Sequence, residues 1–190
     1  MDPCVYPGTT VLKNLRGIRN QLDLSKLEAD ATGLRMRQLE SKPLRGKFDS
    51  SHLKAIHRYI FQDVYPWAGE FRSVNIARPG QFFFAFSEQI IPCLSGLFER
   101  LAGEKLPSDV TGFCDRAAWY MGEINAVDSF RDGNGRSQRE FIRELALRQG
   151  YVIDWSRTTR AAMGEASHMS FQDADHSGLT AVLLGVVCAG

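Results

Sequence analysis

The sequence has no excess of charge of either sign. Its 23 lysines and arginines nearly balance 22 aspartates and glutamates, which gives a formal net charge of +1 at pH 7. A chain with so small a net charge generates no strong field that would draw it to DNA, RNA or a membrane surface. We therefore expect a protein that binds no nucleic acid directly and does not associate with membranes.

Cysteine is scarce, and no two cysteines are close in sequence. The four are Cys4, Cys93, Cys114 and Cys188. Because there is no Cys-x-x-Cys pair, the common zinc-site spacings are excluded. A hydrophobic share of 44% in 190 residues is enough for an ordinary core, so a disulfide framework is not expected. We expect the thiols to act as small buried apolar groups.

Neither end of the sequence has the pattern of a signal peptide or a membrane anchor. The opening Met1-Asp2-Pro3-Cys4 has no basic region before an apolar run. The longest apolar run near the C-terminus, 179–190, is too short to span a bilayer. These features favour a protein that is cytoplasmic where it is made, with delivery into another cell by a secretion machine left open as an alternative.

Amphipathic helical patterns fill most of the chain. A length of 190 residues suits one domain, 1–190, with its own hydrophobic core. Apolar spacings of three and four residues, together with caps, predict helices at 10–21, 24–40, 51–62, 87–101, 108–127 and 136–149, and two or three shorter ones within 156–188. The predicted fold class is therefore all-α, a helical bundle, with one exception.

The exception is the segment 72–86, in which apolar residues recur at every second position. The alternating apolar residues on either side of Arg78-Pro79-Gly80 are Val74, Ile76, Phe82, Phe84 and Phe86. This pattern predicts a β-hairpin. Because a lone hairpin is only marginally stable in water, it must lie on the helices or receive a partner strand.

The stretch between the helical patterns at 108–127 and 136–149 contains the residues that point to a ligand. Gly133-Asn134-Gly135 allows positive φ angles and directs successive backbone N–H groups into one concavity. The helix that follows offers a positive dipole end to an anion, and Arg136 and Arg139 lie one turn apart on it. Asp132 could hold a Mg²⁺ ion that bridges phosphate oxygens. These residues predict a di- or triphosphate site; the alternative is an ordinary helix–turn–helix corner, because Asn-Gly turns are common.

The same stretch resembles the Fic family signature, His-Pro-Phe-x-(Asp/Glu)-Gly-Asn-Gly-Arg-x-x-Arg. The matching positions are Phe130, Asp132, Gly133, Asn134, Gly135, Arg136 and Arg139. The resemblance covers about residues 40–155 and includes the motif Tyr-Pro-Trp-Ala-Gly-Glu-Phe-Arg at 65–72, before the predicted hairpin. It implies a Fic fold and a small stand-alone bacterial protein of toxin type.

Proteins of this family mostly transfer AMP from ATP to a hydroxyl group of a target protein. The resemblance implies that the backbone of 133–135 binds the phosphates, that Arg136 and Arg139 hold the β- and γ-phosphates, and that Asp132 holds Mg²⁺. The segment 72–86 would be the flap that aligns the target by strand pairing. By analogy with toxin-type members, the expected target is a bacterial type II topoisomerase subunit.

The sequence departs from the signature at Asp128-Ser129, where the family has His-Pro. In the family the histidine is the general base that takes the proton from the target hydroxyl, a task that suits a base near neutral pKa. An aspartate has an ordinary pKa of about 3.9 and a histidine about 6.5, so Asp128 is the weaker base. Three alternatives stay open: Asp128 as a weak catalytic base, a disabled nucleotide-binding pseudoenzyme, and a relative that transfers UMP, phosphocholine or phosphate.

A regulatory motif of the family is also missing. Many members are restrained by a helix with the motif (Ser/Thr)-x-x-x-Glu-(Gly/Asn), whose glutamate pairs with the second signature arginine, Arg139 here. This chain does not contain the motif. The resemblance therefore implies a separate partner, a small antitoxin that supplies the inhibitory helix; the alternative is that the altered active site makes inhibition unnecessary.

Overall fold

Residues 2–77 and 84–189, which the computed structural model describes, contain seven α-helices and two short strands. The helices are α1 (Gln21–Ser41), α2 (Ser50–Phe61), α3 (Ile90–Gly103), α4 (Val110–Val127), α5 (Asn134–Arg148), α6 (Arg160–Asp173) and α7 (Ser177–Val186). The strands are β1 (Tyr151–Ile153) and β2 (Val187–Ala189). The prediction of a mostly helical fold is confirmed.

Short polar side chains fix the start of several helices. Asn20 precedes α1, Asp49 precedes α2, and Asp109 precedes α4. Each of these side chains accepts a hydrogen bond from a backbone N–H in the first helical turn. Such caps satisfy donors that have no partner inside the helix. The starts of α2 and α4 therefore lie within two residues of the predicted ones.

The prediction of a helix at 10–21 is wrong, because this segment is not helical. The Asn14 side chain forms four hydrogen bonds with backbone groups between residues 12 and 18. Side-chain bonds of this kind give the backbone an alternative to helical pairing. Gly17 adds a left-handed turn with a φ of 67°. The segment is consequently irregular until α1 begins.

The two strands form a small antiparallel sheet that the sequence pattern did not indicate. Tyr151 pairs with Ala189, and Ile153 pairs with Val187. Val187 and Cys188 therefore lie in a strand, although only helices were predicted within 156–188. Three residues are too few for an alternating pattern to be recognised. The sheet joins the end of the chain to the segment that directly follows α5.

The predicted hairpin at 72–86 falls partly outside the described residues, which omit 78–83. Its described flanks lie side by side. The Arg72 guanidinium donates to the carbonyl oxygens of Val74, at 2.8 Å, and Ala85, at 2.5 Å. The Asn75 side chain accepts a hydrogen bond from the Ser87 N–H at 2.8 Å. The two ends of the segment therefore meet, as a hairpin requires, whereas the predicted turn around Pro79 lies outside the described residues.

Helices α4 and α5 lie at the centre of the core. They contact each other, α2 packs on α5, α3 packs on α4, and α6 and α7 pack on α4. The largest fully buried side chains include Tyr120, Phe113, Phe141 and Phe130. The turn that joins α4 to α5 is therefore mounted on two rigidly packed helices. Of the helices in the described part of the chain, none has the length and apolarity needed to cross a membrane.

The cysteines differ in their burial. Cys114 lies in the core, Cys4 is half-buried, and Cys93 and Cys188 are exposed. All four are free thiols. The expectation of buried apolar thiols is therefore confirmed for Cys114 and wrong for Cys93 and Cys188.

Candidate functional site

Asp128 begins the turn between α4 and α5 in a left-handed backbone conformation. Its φ is 47° and its ψ is 60°, and its N–H donates to the Ile124 carbonyl oxygen at 3.2 Å. Aspartate tolerates this conformation better than most non-glycine residues. Asp128 is only 8% exposed and lines a cavity. The predicted catalytic residue is therefore held at the edge of that cavity by a fixed helix end.

Arg72 ties this turn to the segment 72–86. Its side chain is buried, and it donates to the carbonyl oxygens of Asp128, at 2.8 Å, and Val127, at 3.1 Å. These carbonyls form the negative end of the α4 dipole. The same guanidinium holds both flanks of 72–86, so one cation joins the turn to the predicted flap. The sequence indicated this residue only as the last position of the 65–72 motif.

Gly133 starts α5, and no other residue fits its position. Its φ is 82°, and a Cβ atom built there would lie 2.3 Å from the Phe61 ring. The Gly133 carbonyl oxygen accepts hydrogen bonds from the backbone N–H groups of Arg136 and Ser137, both at 3.1 Å. In the described part of the chain, the N–H groups at 134 and 135 have no acceptor. These free donors at a helix start form an anion site.

The side chain of Asn134 shapes the loop and is not free to bind a ligand. Its Oδ1 accepts from the Phe130 N–H, and its Nδ2 donates to the Phe130 carbonyl oxygen, each at 2.7 Å. This pair of hydrogen bonds closes the loop across four residues. Asn134 can therefore offer a phosphate only its backbone N–H, which agrees with the predicted role.

His57, on α2, contacts the loop at 130–134 and helps to fix its shape. The Gly69 N–H donates to His57 Nδ1 at 2.8 Å, so the other ring nitrogen carries the proton and donates to the Asp132 carbonyl oxygen at 3.0 Å. The ring is stacked between Phe61 and Phe130, at centroid distances of 4.6 and 3.9 Å. Burial, with a smaller contribution from a nearby arginine, lowers the pKa of His57 to about 4. His57 is therefore a neutral structural group at pH 7.

This buried histidine should make stability depend on pH. The unfolded chain binds a proton at His57 below about pH 6.5, whereas the folded chain resists it until about pH 4. The free energy of unfolding should therefore fall by about 3 kcal/mol as the pH drops from 6.5 to 4. Urea titrations over this range would measure the slope. His57→Gln should flatten it, while replacement of the exposed His168 by Gln should not. Equal slopes for wild type and His57→Gln would contradict this assignment.

Asp132 fits the predicted metal ligand. Its Oδ1 accepts from the Gly133 N–H at 2.5 Å. Burial, followed by repulsion from Glu28, raises the pKa of Asp132. Within 2–77 and 84–189 no cluster of three or more His, Cys, Asp or Glu side chains could hold a metal alone. Mg²⁺ is commonly bound by one or two carboxylates together with substrate phosphates, so a lone carboxylate beside a phosphate site suits it.

The two signature arginines have different surroundings. Arg136 pairs with Glu28 at 2.6 Å and lies over the Phe61 ring, 4.5 Å from its centroid. Arg139 has no hydrogen bond or ion pair with any described residue. Burial lowers the pKa of Arg139, and repulsion from Arg136 and Arg160 adds to this effect. An unpaired, largely buried arginine is costly unless a ligand neutralises it, so Arg139 marks an anion-binding position.

One cavity of about 940 Å³ collects these groups. All the predicted site residues line it, namely Asp128, Asp132, Gly133, Asn134, Gly135, Arg136 and Arg139. The opposite walls come from α1 and from the segment that starts α6. The lining residues there that the sequence did not indicate include Glu28, Trp155 and Arg160. No local motif marks them, because they reach the cavity only through the tertiary fold.

Comparison with known proteins yields consistent matches. The family model described as the Fic/DOC family matches residues 47–146. Protein adenylyltransferase VbhT of Bartonella schoenbuchensis is 41% identical over 172 residues, which cover 90% of this chain and 36% of VbhT. This chain therefore spans little more than a third of that protein. "Probable protein adenylyltransferase y4lH" of Sinorhizobium fredii is 36% identical over 173 residues, covering 90% of this chain and 88% of the relative.

Solved structures share the fold over nearly the whole chain. An N-terminal Fic domain of a VirB-translocated effector from Bartonella quintana, with bound ADP, has a TM-score of 0.91 at 27% identity. The match covers 98% of this chain and 94% of that one. The BepC protein of Bartonella tribocorum, with bound AMPPNP, also has a TM-score of 0.91, at 24% identity, covering 98% and 97% of the two chains. These matches confirm the predicted fold.

Proposed function

Because this chain belongs to the Fic/DOC family, we propose that it is a protein adenylyltransferase of the bacterial cytoplasm. It would transfer AMP from ATP to a Tyr, Ser or Thr hydroxyl of a target protein. The observation that carries the proposal is the anion site at the start of α5, where free backbone N–H groups, the unpaired Arg139 and Asp132 face one cavity. The names of the relatives and the nucleotides bound to structural neighbours support ATP as the donor.

In the proposed reaction each group has a task. The target hydroxyl oxygen attacks the α-phosphorus, a new P–O bond forms, and the bond to the β-phosphate bridging oxygen breaks. Pyrophosphate leaves, held by the backbone N–H groups at 134 and 135 and by Arg136 and Arg139. A Mg²⁺ ion held by Asp132 and the phosphates would neutralise their charge. Asp128, at the cavity edge, would take the hydroxyl proton.

The position of labelled phosphorus tests the reaction directly. The purified chain would be incubated with bacterial lysate and with ATP labelled at either the α- or the γ-phosphate. AMP transfer places α-label, and no γ-label, on a protein band, whereas phosphoryl transfer does the reverse. Label from α-labelled UTP alone would identify UMP transfer. If neither the unaltered chain nor its Asp128→His variant labels any protein from these nucleotides, the proposed activity is overturned.

A second function, that of a nucleotide-binding pseudoenzyme, is favoured by Asp128 itself. The phosphate site runs from Asp132 to Arg139 and does not include the weakened base. Such a chain would bind Mg·ATP in calorimetry yet label nothing. Full labelling activity by the unaltered chain would remove this alternative.

The proposed docking element for the target is the segment 72–86. Arg72 brings its two ends against the turn that carries Asp128, so a bound target strand would lie beside the cavity. On family analogy we propose a type II topoisomerase subunit as the target. Purified gyrase and topoisomerase IV subunits in the labelling assay would test this choice.

The proposed regulator is a small antitoxin with the inhibitory motif. Its glutamate would pair with Arg139, which has no partner among the described residues. A synthetic helix with the motif should lower the affinity for ATP, because both anions need the same arginine. The effect should disappear when the motif glutamate is changed to glutamine. Inhibition that survives this change would argue against the pairing.

A further inference from the structure

Arg136 is held by helix α1, which lies outside the matched segment 47–146. Arg136 Nη2 donates to Glu28 Oε1 at 2.6 Å, and Nη1 donates to Thr32 Oγ1 at 3.3 Å. The Tyr65 hydroxyl donates to the other oxygen of Glu28. Glu28 is thereby fixed from a second direction. The guanidinium orientation is therefore set by groups that the signature does not contain.

A second carboxylate competes for the same arginine. Arg136 Nη2 is 3.9 Å from Asp132 Oδ1, compared with 2.6 Å from Glu28. Asp132 is four residues before Arg136, a spacing at which opposite charges attract along a helix start. Without Glu28, Asp132 would be the nearest acid. An ion pair between Asp132 and Arg136 would then occupy both the proposed metal ligand and a phosphate-binding group.

Arg136 retains free donors while it is paired with Glu28. A guanidinium has five N–H donors, and Glu28 and Thr32 use two of them. The pair is largely shielded, since the side chains of Arg136 and Glu28 are 27% and 16% exposed. Glu28 can therefore hold one side of the guanidinium while the other side faces the phosphates.

We propose that Glu28 is a positioning residue of the nucleotide site. It keeps Arg136 directed at the phosphates and away from Asp132, so that Asp132 is free to bind Mg²⁺. This inference rests on the proposed function, because it requires that Mg·ATP binds in this cavity. It extends the site to α1, which the sequence predicted only as a helix at 24–40 with no part in the site.

Calorimetry with Mg·ATP on the purified full chain tests the inference. Glu28→Gln adds one positive unit to the cavity, which by Coulomb attraction alone would tighten binding of a polyanion. A positioning role predicts the opposite, a loss of affinity of about tenfold, the loss typical of one half-buried charge-assisted hydrogen bond. Tyr65→Phe, which keeps the ring but frees Glu28, should weaken binding about threefold.

The matched control is Asp63→Asn. It removes another ion pair of α1, between Arg35 and Asp63 at 2.7 Å, and Asp63 does not line the cavity. Its affinity should equal that of the wild type. Tighter or unchanged binding by both Glu28→Gln and Tyr65→Phe, with wild-type binding intact, would overturn the positioning role alone. No Mg·ATP binding by the wild type would overturn the proposed function as well.

Discussion

Replacing Asp128 with histidine should raise the rate of AMP transfer by about one to three powers of ten. A general base is typically worth about 10² to 10⁴ in rate, and a carboxylate is roughly 2.6 pKa units less basic than an imidazole. Histidine is also among the residues that tolerate the left-handed conformation found at position 128. Arg72 and the end of α4 hold the backbone there, so the new side chain should face the same cavity.

Initial rates with α-labelled ATP would measure this gain, and calorimetry should show almost unchanged nucleotide affinity. Ser129→Pro can be added to restore the family turn, since no described group accepts a hydrogen bond from the Ser129 N–H. Asp128→Asn is the matched control, because it keeps the shape and removes the basic oxygen. Equal rates for the wild type and Asp128→His would show that the aspartate is already a competent base or that no base is needed. Equal rates for the wild type and Asp128→Asn would show that it does not act as a base.

Replacing Arg139 with methionine should change nucleotide binding and stability in opposite directions. Two charge-assisted hydrogen bonds to a phosphate are worth about 1.5 to 3 kcal/mol each, so affinity for Mg·ATP should fall by about 10² to 10⁴. In the ligand-free protein the same change removes a shielded charge that is repelled by Arg136 and Arg160. The melting temperature without nucleotide should therefore rise, by about 1 to 3 °C for a domain of this size.

Differential scanning calorimetry with and without Mg·ATP would record both effects in one experiment. Arg148→Met is the matched control, because it removes the same charge from the exposed face of the same helix. It should leave the nucleotide-dependent rise in melting temperature intact. An Arg139→Met chain that is destabilised and still responds to nucleotide would show that Arg139 is a structural residue.

The long helices and the phosphate loop could be predicted because their signals are local. The helix predicted at 108–127 is found at Val110–Val127, since its apolar spacing and its Asp109 cap lie within one stretch. The loop needs glycine at 133 for its φ of 82° and its contact with Phe61. The first requirement is visible in Gly133-Asn134-Gly135 itself, whereas the contact with Phe61 comes from a distant part of the sequence.

The remaining parts of the site could not be predicted because their partners are distant in sequence. Glu28 and Arg136 are 108 residues apart, and Arg72 and Asp128 are 56 residues apart. A single sequence does not indicate which of many charged residues will meet. The failed helix at 10–21 has a different cause: apolar spacing outweighed Asn14 in the prediction, whereas its side-chain bonds prevail in the fold.

Arg72 links the turn that carries Asp128 to both ends of the segment 72–86. Its guanidinium contacts carbonyl oxygens at 74, 85, 127 and 128, which lie in different directions around one planar fork. Lysine carries its donors on a single atom and cannot reproduce this arrangement. A substitution at 72 would therefore disturb the Asp128 turn and the segment 72–86 together. Insertions or deletions within 72–86 are consequently limited to those that let the two ends of the segment still fit this one side chain.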